Sequence, residues 1–88
     1  MIEKEITVSN KHGLHARPAA LLVKIAAKFS SACTIEKNGV SINGKSIMGV
    51  MALAAEPGSV LKLQIDGSDE KEAMKAIIEL FENKFEED

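Results

Sequence analysis

A two-layer α/β sandwich of the α+β kind, with an antiparallel sheet, is the fold this sequence predicts. Three observations lead there. Short stretches alternate apolar and polar residues, the period of strands with one buried face. Asn38-Gly39 joins two of them with the signature of a two-residue hairpin turn. Two longer stretches repeat apolar residues every three or four positions, as helices with one buried stripe do. Strands that are apolar on one side need a cover, and two amphipathic helices can supply it. A chain of 88 residues, 45% of them hydrophobic, suits one domain over residues 1–88 and leaves no room for a second core.

The elements follow in order. "IEKEITV" sets Ile6 and Val8 among charged or hydroxylated neighbours and reads as a half-buried strand. "NKHGLH" is a loop in which Gly13 is free to take a positive φ. From Ala16 to about Phe29 the pattern is helical, with Ala19, Leu22, Val23, Ala26 and Phe29 as the buried stripe. Arg17, Ala20, Leu21, Lys24 and Lys28 share the outer face, where Ala20 and Leu21 are unexpected among cations. In "ACTIEKNGVSIN", Cys33 and Ile35 alternate with polar residues, Asn38-Gly39 turns, and Val40 and Ile42 resume the alternation.

Ser46 is placed to cap a short helix of about Ile47 to Leu53, weakened by Gly49 at a cost of ~1 kcal/mol relative to alanine. Pro57-Gly58 turns the chain into "SVLKLQIDG", a strand with Leu61, Leu63 and Ile65 on one side. The last helix is capped by Ser68 or Asp69. Its apolar stripe is Ala73, Met74, Ile77, Ile78, Phe81 and Phe85, and the final "EED" is expected to fray. The order is β-α-β-β-α-β-α.

Composition excludes several functions. A net charge of −2 and the absence of Trp and Tyr argue against a general nucleic-acid binder, which carries a basic face and stacking aromatics. Cys33 is the single cysteine, so there is no internal disulfide, and a small buried hydrophobe is its expected role. Glu3 and Glu5 stand where a signal peptide needs an apolar core. Lys24 interrupts the longest apolar run well short of the ~20 residues a membrane span needs. The expectation is a soluble, cytoplasmic protein without membrane insertion.

The first helix opens oddly. His15, Ala16, Arg17 and Pro18 stand at its start, where Ser, Thr, Asp or Asn would supply a capping oxygen. An imidazole there faces unused backbone N–H groups and the positive end of the helix dipole, which disfavour imidazolium and leave a neutral nucleophile. If a phosphoryl group lands on His15, the same N–H groups form an anion site. The Arg17 guanidinium can grip phosphate oxygens, and Pro18 has no N–H to leave unused. The pattern suits a transient phosphohistidine. Without a Gly-rich phosphate loop or a metal-binding carboxylate cluster, the chain suits carrying phosphate better than generating it. The alternative at this boundary is plain solvated chain. A metal site is not expected, because Gly13 separates His12 from His15 and no further ligand sits at a usual spacing.

"GLHARPA" (residues 13–19) together with "GKSIMGVMAL" (residues 44–53) closely resembles the HPr family. These are the histidine-containing phosphocarriers of the bacterial phosphoenolpyruvate-dependent sugar phosphotransferase system. The resemblance extends over essentially the whole chain. It implies an open-faced β-sandwich, four antiparallel strands with three helices on one side. It also implies a carrier that is not itself an enzyme and needs no cofactor. His15 accepts phosphate on Nδ1 from enzyme I, with Arg17 stabilising it, and passes it to the IIA domains of sugar permeases. Ser46 matches a serine that HPr kinase/phosphorylase modifies in some members, and a transcription factor can read that form.

The resemblance further implies a docking face of Ala16, Pro18, Ala20, Leu21, Lys24, Ile47, Met48 and Met51, edged by Arg17, Lys24 and Lys45. The working form is expected to be a monomer. Two other readings stay open: a nitrogen-type paralogue of the cascade, and a regulatory binding module dependent on Ser46. Members with that regulatory role alone lack the histidine, so His15 counts against the second. His12 differs from the small or hydroxylated residues frequent at its position and receives no role.

Overall fold

The computed structural model describes residues 1–86 and contains one four-stranded antiparallel sheet. The strands are β1 (Ile2–Thr7), β2 (Ala32–Lys37), β3 (Val40–Asn43) and β4 (Val60–Asp66), in the order β1-β4-β2-β3. Three helices, α1 (Ala16–Ala26), α2 (Ile47–Ala52) and α3 (Glu70–Glu82), complete the expected β-α-β-β-α-β-α order.

The alternation sets both faces. Ile65 pairs with Ile2 on one side and Cys33 on the other, and Leu63 pairs with Ile35. Leu61, Leu63, Ile65 and Ile35 are completely buried beneath the helices together with Leu22 and Ile77. Each such side chain contributes about 1.5–3 kcal/mol relative to exposure. On the opposite face Lys62 pairs with Glu5 and with Glu36, so one cation stands between two anions across three strands. The hairpin turn is as expected: Asn38 and Gly39 both take positive φ, 51° and 84°, as a type I′ turn requires. Val40 follows the alternation but is 58% exposed, because it closes the ladder opposite Lys37 at the far edge of the sheet.

Three expectations need correction. Helix α1 stops at Ala26, short of Phe29; Lys28 and Phe29 donate to carbonyls three residues back, a tightened last turn, and the Ser30 N–H leaves to meet Asp69. Asp69 stands at the N-cap position of α3 but does not cap it with its side chain. Its carboxylate accepts instead from the N–H groups of Ser30 (2.9 Å) and Ser31 (3.0 Å) and from the Ser31 hydroxyl. That clasp ties the end of α1 to the start of α3. Finally, Leu80 belongs to the buried stripe of α3, whereas Ile78 is half-buried. Phe85 lies beyond the helix, in a left-handed turn over Lys84–Glu86 that folds its ring onto Phe81, centroids 4.8 Å apart. Of the stretch expected to fray, Glu86 lies in that turn, while residues 87 and 88 lie outside the described residues.

Candidate functional site

His15 is the N-cap residue of α1, extended at φ −79° and ψ −170°, with its ring exposed and making no capping bond. Its carbonyl accepts the first helical bond, from the N–H of Ala19 at 2.9 Å. Pro18 has no N–H, so the backbone donors of the first turn not used by the helix belong to Ala16 and Arg17. They belong to the helix N-terminus, where the dipole favours negative charge.

The chain before the helix fixes that geometry. Asn10 is completely buried, and its Nδ2 donates to the Gly13 carbonyl at 2.7 Å, closing the Asn10–Gly13 turn. Gly13 has φ +73°, and a side chain there would run into the Ala55 carbonyl oxygen. Leu14 is buried and donates its N–H to that same oxygen at 2.9 Å. With buried Leu14 just before the cap and buried Pro18 and Ala19 just after it, apolar packing anchors the helix entry from both sides and leaves His15 outward. Asn10 is the organiser that the sequence reading passed over; an Asn three residues before a glycine is the signal that could have found it.

The other expected residues divide. Ala16, Arg17, Ala20 and Lys24 are exposed on α1, and Leu21 is half-buried. Pro18 is buried, so it supports the site from behind and presents no contact surface. On α2, Met48 is 83% exposed and Ile47 and Met51 are each 44% exposed, apolar area that the core leaves out. Met51 joins His12, Leu14, His15, Ala54, Ala55 and Glu56 in lining a shallow cleft of about 300 Å³. The second motif therefore meets the first at the imidazole. Ser46 caps α2, its Oγ accepting from the Gly49 N–H at 3.0 Å. At the other end of α2, Lys37 Nζ donates to the carbonyls of Leu53 (3.0 Å) and Ala54 (3.2 Å). Lys45, expected at the cationic edge, is half-buried and donates its Nζ to the Phe29 carbonyl at 2.8 Å.

A larger hollow, about 530 Å³, lies elsewhere, between Ser30, Cys33, Ile42 and Lys45. Burial pushes the Cys33 thiol up to about 11, although the Lys45 charge opposes it, so no thiolate nucleophile is on offer there. Among the described residues, no group of three or more His, Cys, Asp or Glu is arranged to hold a metal ion. No helix among them is long and apolar enough to cross a membrane.

Comparison with known proteins fits this geometry. A family model described as "PTS HPr component phosphorylation site" matches residues 2–83. The phosphocarrier protein HPr of Xylella fastidiosa (strain Temecula1) is 56% identical over 88 residues, covering 100% of this chain and 99% of that protein. The HPr-like protein Crh of Halalkalibacterium halodurans is 50% identical over 84 residues, covering 96% of this chain and all of that protein. A crystal structure of HPr from Thermoanaerobacter tengcongensis superposes with a TM-score of 0.97 at 52% identity, covering 100% of this chain and 99% of that one.

Proposed function

Because the chain belongs to the HPr family of phosphotransferase-system phosphocarriers, we propose that His15 is its phosphoryl acceptor. The observation that carries this reading is the exposed imidazole at the N-cap of an 11-residue helix that it does not cap. A residue with a capping oxygen would occupy the first-turn N–H groups permanently. Here they stand beside a side chain that can be charged and discharged.

In the proposed step the Nδ1 lone pair of His15 attacks phosphorus while the bond from phosphorus to the histidine nitrogen of phospho-enzyme I breaks. The electron pair leaves with the donor nitrogen, so one N–P bond replaces another. Charge on the phosphoryl oxygens meets the N–H groups of Ala16 and Arg17 and the Arg17 guanidinium. The reverse exchange delivers phosphate to a IIA domain. Exposed Ala20, Ile47, Met48 and Met51, with half-buried Leu21, form the contact surface for these partners, and Arg17 and Lys24 supply positive charge beside it. Methionine adapts to successive partners through its flexible side chain.

Ser46 is the proposed regulatory position, modified by HPr kinase/phosphorylase. Its phosphate would sit at the start of α2, where the dipole tolerates negative charge, and beside Met48 on the contact surface. The expected effect is weaker docking to enzyme I with the fold intact. The protein is read as a cytoplasmic monomer.

The test is incubation with phosphoenolpyruvate and enzyme I, followed by intact mass measurement. One acid-labile phosphate, absent from His15→Ala, is expected. Retention of that phosphate by the folded variant would place the acceptor elsewhere.

A further inference from the structure

The loop ahead of α1 carries a second imidazole that this reading leaves unused. His12 is exposed in the Asn10–Gly13 turn, and its ring meets that of His15 edge to face, with centroids 5.8 Å apart and planes at 79°. Three residues apart with Gly13 between them, the two would not share a helix face. The turn brings them together because buried Asn10 and the Leu14–Ala55 bond fold it back over the helix entry. Both rings line the cleft of about 300 Å³ that also holds Met51 and Glu56.

With centroids 5.8 Å apart, the His12 ring lies within reach of a phosphoryl group attached to the His15 ring. A neutral imidazole offers one N–H and an imidazolium two. A doubly negative group within ~4–6 Å favours the imidazolium. We propose that His12 is a second phosphate-contacting residue, donating a ring N–H to the phosphoryl group carried on His15 and holding a proton more tightly while it is there. The inference rests on His15 being the acceptor.

The charges around His12 do not replace this effect. Glu56, from the segment after α2, faces the same cleft and is there whether or not phosphate is bound. Lys11 precedes His12 in the chain and Arg17 follows His15 by two residues; both are likewise present in both states. What loading adds is the phosphoryl group, on the His15 ring that faces His12. Loading is then linked to proton uptake, and the loaded form gains as pH falls through the neutral range.

The experiment follows the His12 ring by NMR through a pH titration, before and after loading with phosphoenolpyruvate and catalytic enzyme I, with His12→Asn to assign the resonances. The titration of His12 is expected to move up by about one pH unit on loading. Correspondingly, the equilibrium for transfer from enzyme I should favour the carrier up to about tenfold more at low than at high pH, relative to His12→Asn. His12 is exposed, so that variant keeps the core intact. An unmoved titration in protein whose mass shows phosphate on His15 would overturn this inference alone. A shift that disappears in Glu56→Gln would assign it to the carboxylate and also overturn it. Absence of phosphate from His15 would take down the carrier reading and this one together.

Discussion

Gly13→Ala tests how the fold aims the histidine. The substitution adds a single carbon, but it adds it at φ +73° and into the Ala55 carbonyl oxygen that accepts the Leu14 N–H. Left-handed backbone costs a residue with a Cβ about 1–2 kcal/mol. The stiffer unfolded chain returns about 0.4–1 kcal/mol of that. Losing the Leu14–Ala55 bond adds about 0.5–1.5 kcal/mol. The net is a destabilisation of about 2 kcal/mol, which for a domain of this size lowers Tm by about 8–16 °C. Gly39→Ala is the control, because Gly39 also has positive φ, +84°, but its Cβ would meet nothing within 4 Å. It carries the backbone cost without the collision and should lose less than about 1 kcal/mol. Urea titration of both variants gives the comparison. Phosphoryl acceptance by the folded Gly13→Ala variant should also fall by about tenfold or more, since small misplacements of a reacting group are costly. Equal losses of stability in the two variants, or full acceptance by Gly13→Ala, would refute the idea that this close approach positions His15.

Two further outcomes follow from the same geometry. The Ser31 hydroxyl and the Ser30 N–H hold the Asp69 carboxyl down at about 2, against an ordinary value of 3.8. A depressed folded-state value means that the clasp stabilises above about pH 4 and is lost as pH falls toward 2. Thermal melts between those limits should show a fall in Tm that Asp69→Asn largely removes, and an identical fall in the variant would count against the clasp. Ala54, just past the end of α2, has φ +51°, a conformation that suits glycine. Ala54→Gly should gain about 0.5–1 kcal/mol after the entropy of the looser unfolded chain is subtracted, read as a higher urea midpoint. A lower midpoint would show that the methyl group contributes more than the strain costs.

What the sequence disclosed and what it hid divide by the reach of the interactions. The hairpin was legible because Asn38-Gly39 and the alternation around it are local chemistry, and the cap of α2 was legible because Ser46 and Gly49 are three residues apart. The end of α1 was not, because the Ser30 N–H is taken by a carboxylate 39 residues away. The same bond hid the behaviour of Asp69, which the local pattern marks as a cap. Helical spacing could not tell whether Ile47 and Met51 faced the core, since a six-residue helix has too few turns to define its buried side; only Val50 in it is buried. His12 shows the limit most clearly. Its spacing from His15 argued against a shared helix face and said nothing of how near the two rings come, 5.8 Å between centroids. Proximity comes from a turn that a buried Asn10 closes and from a carbonyl on Ala55, a segment separated from that turn by α1, two strands and α2. The motif points to the proposed acceptor, but the tertiary fold decides what surrounds it.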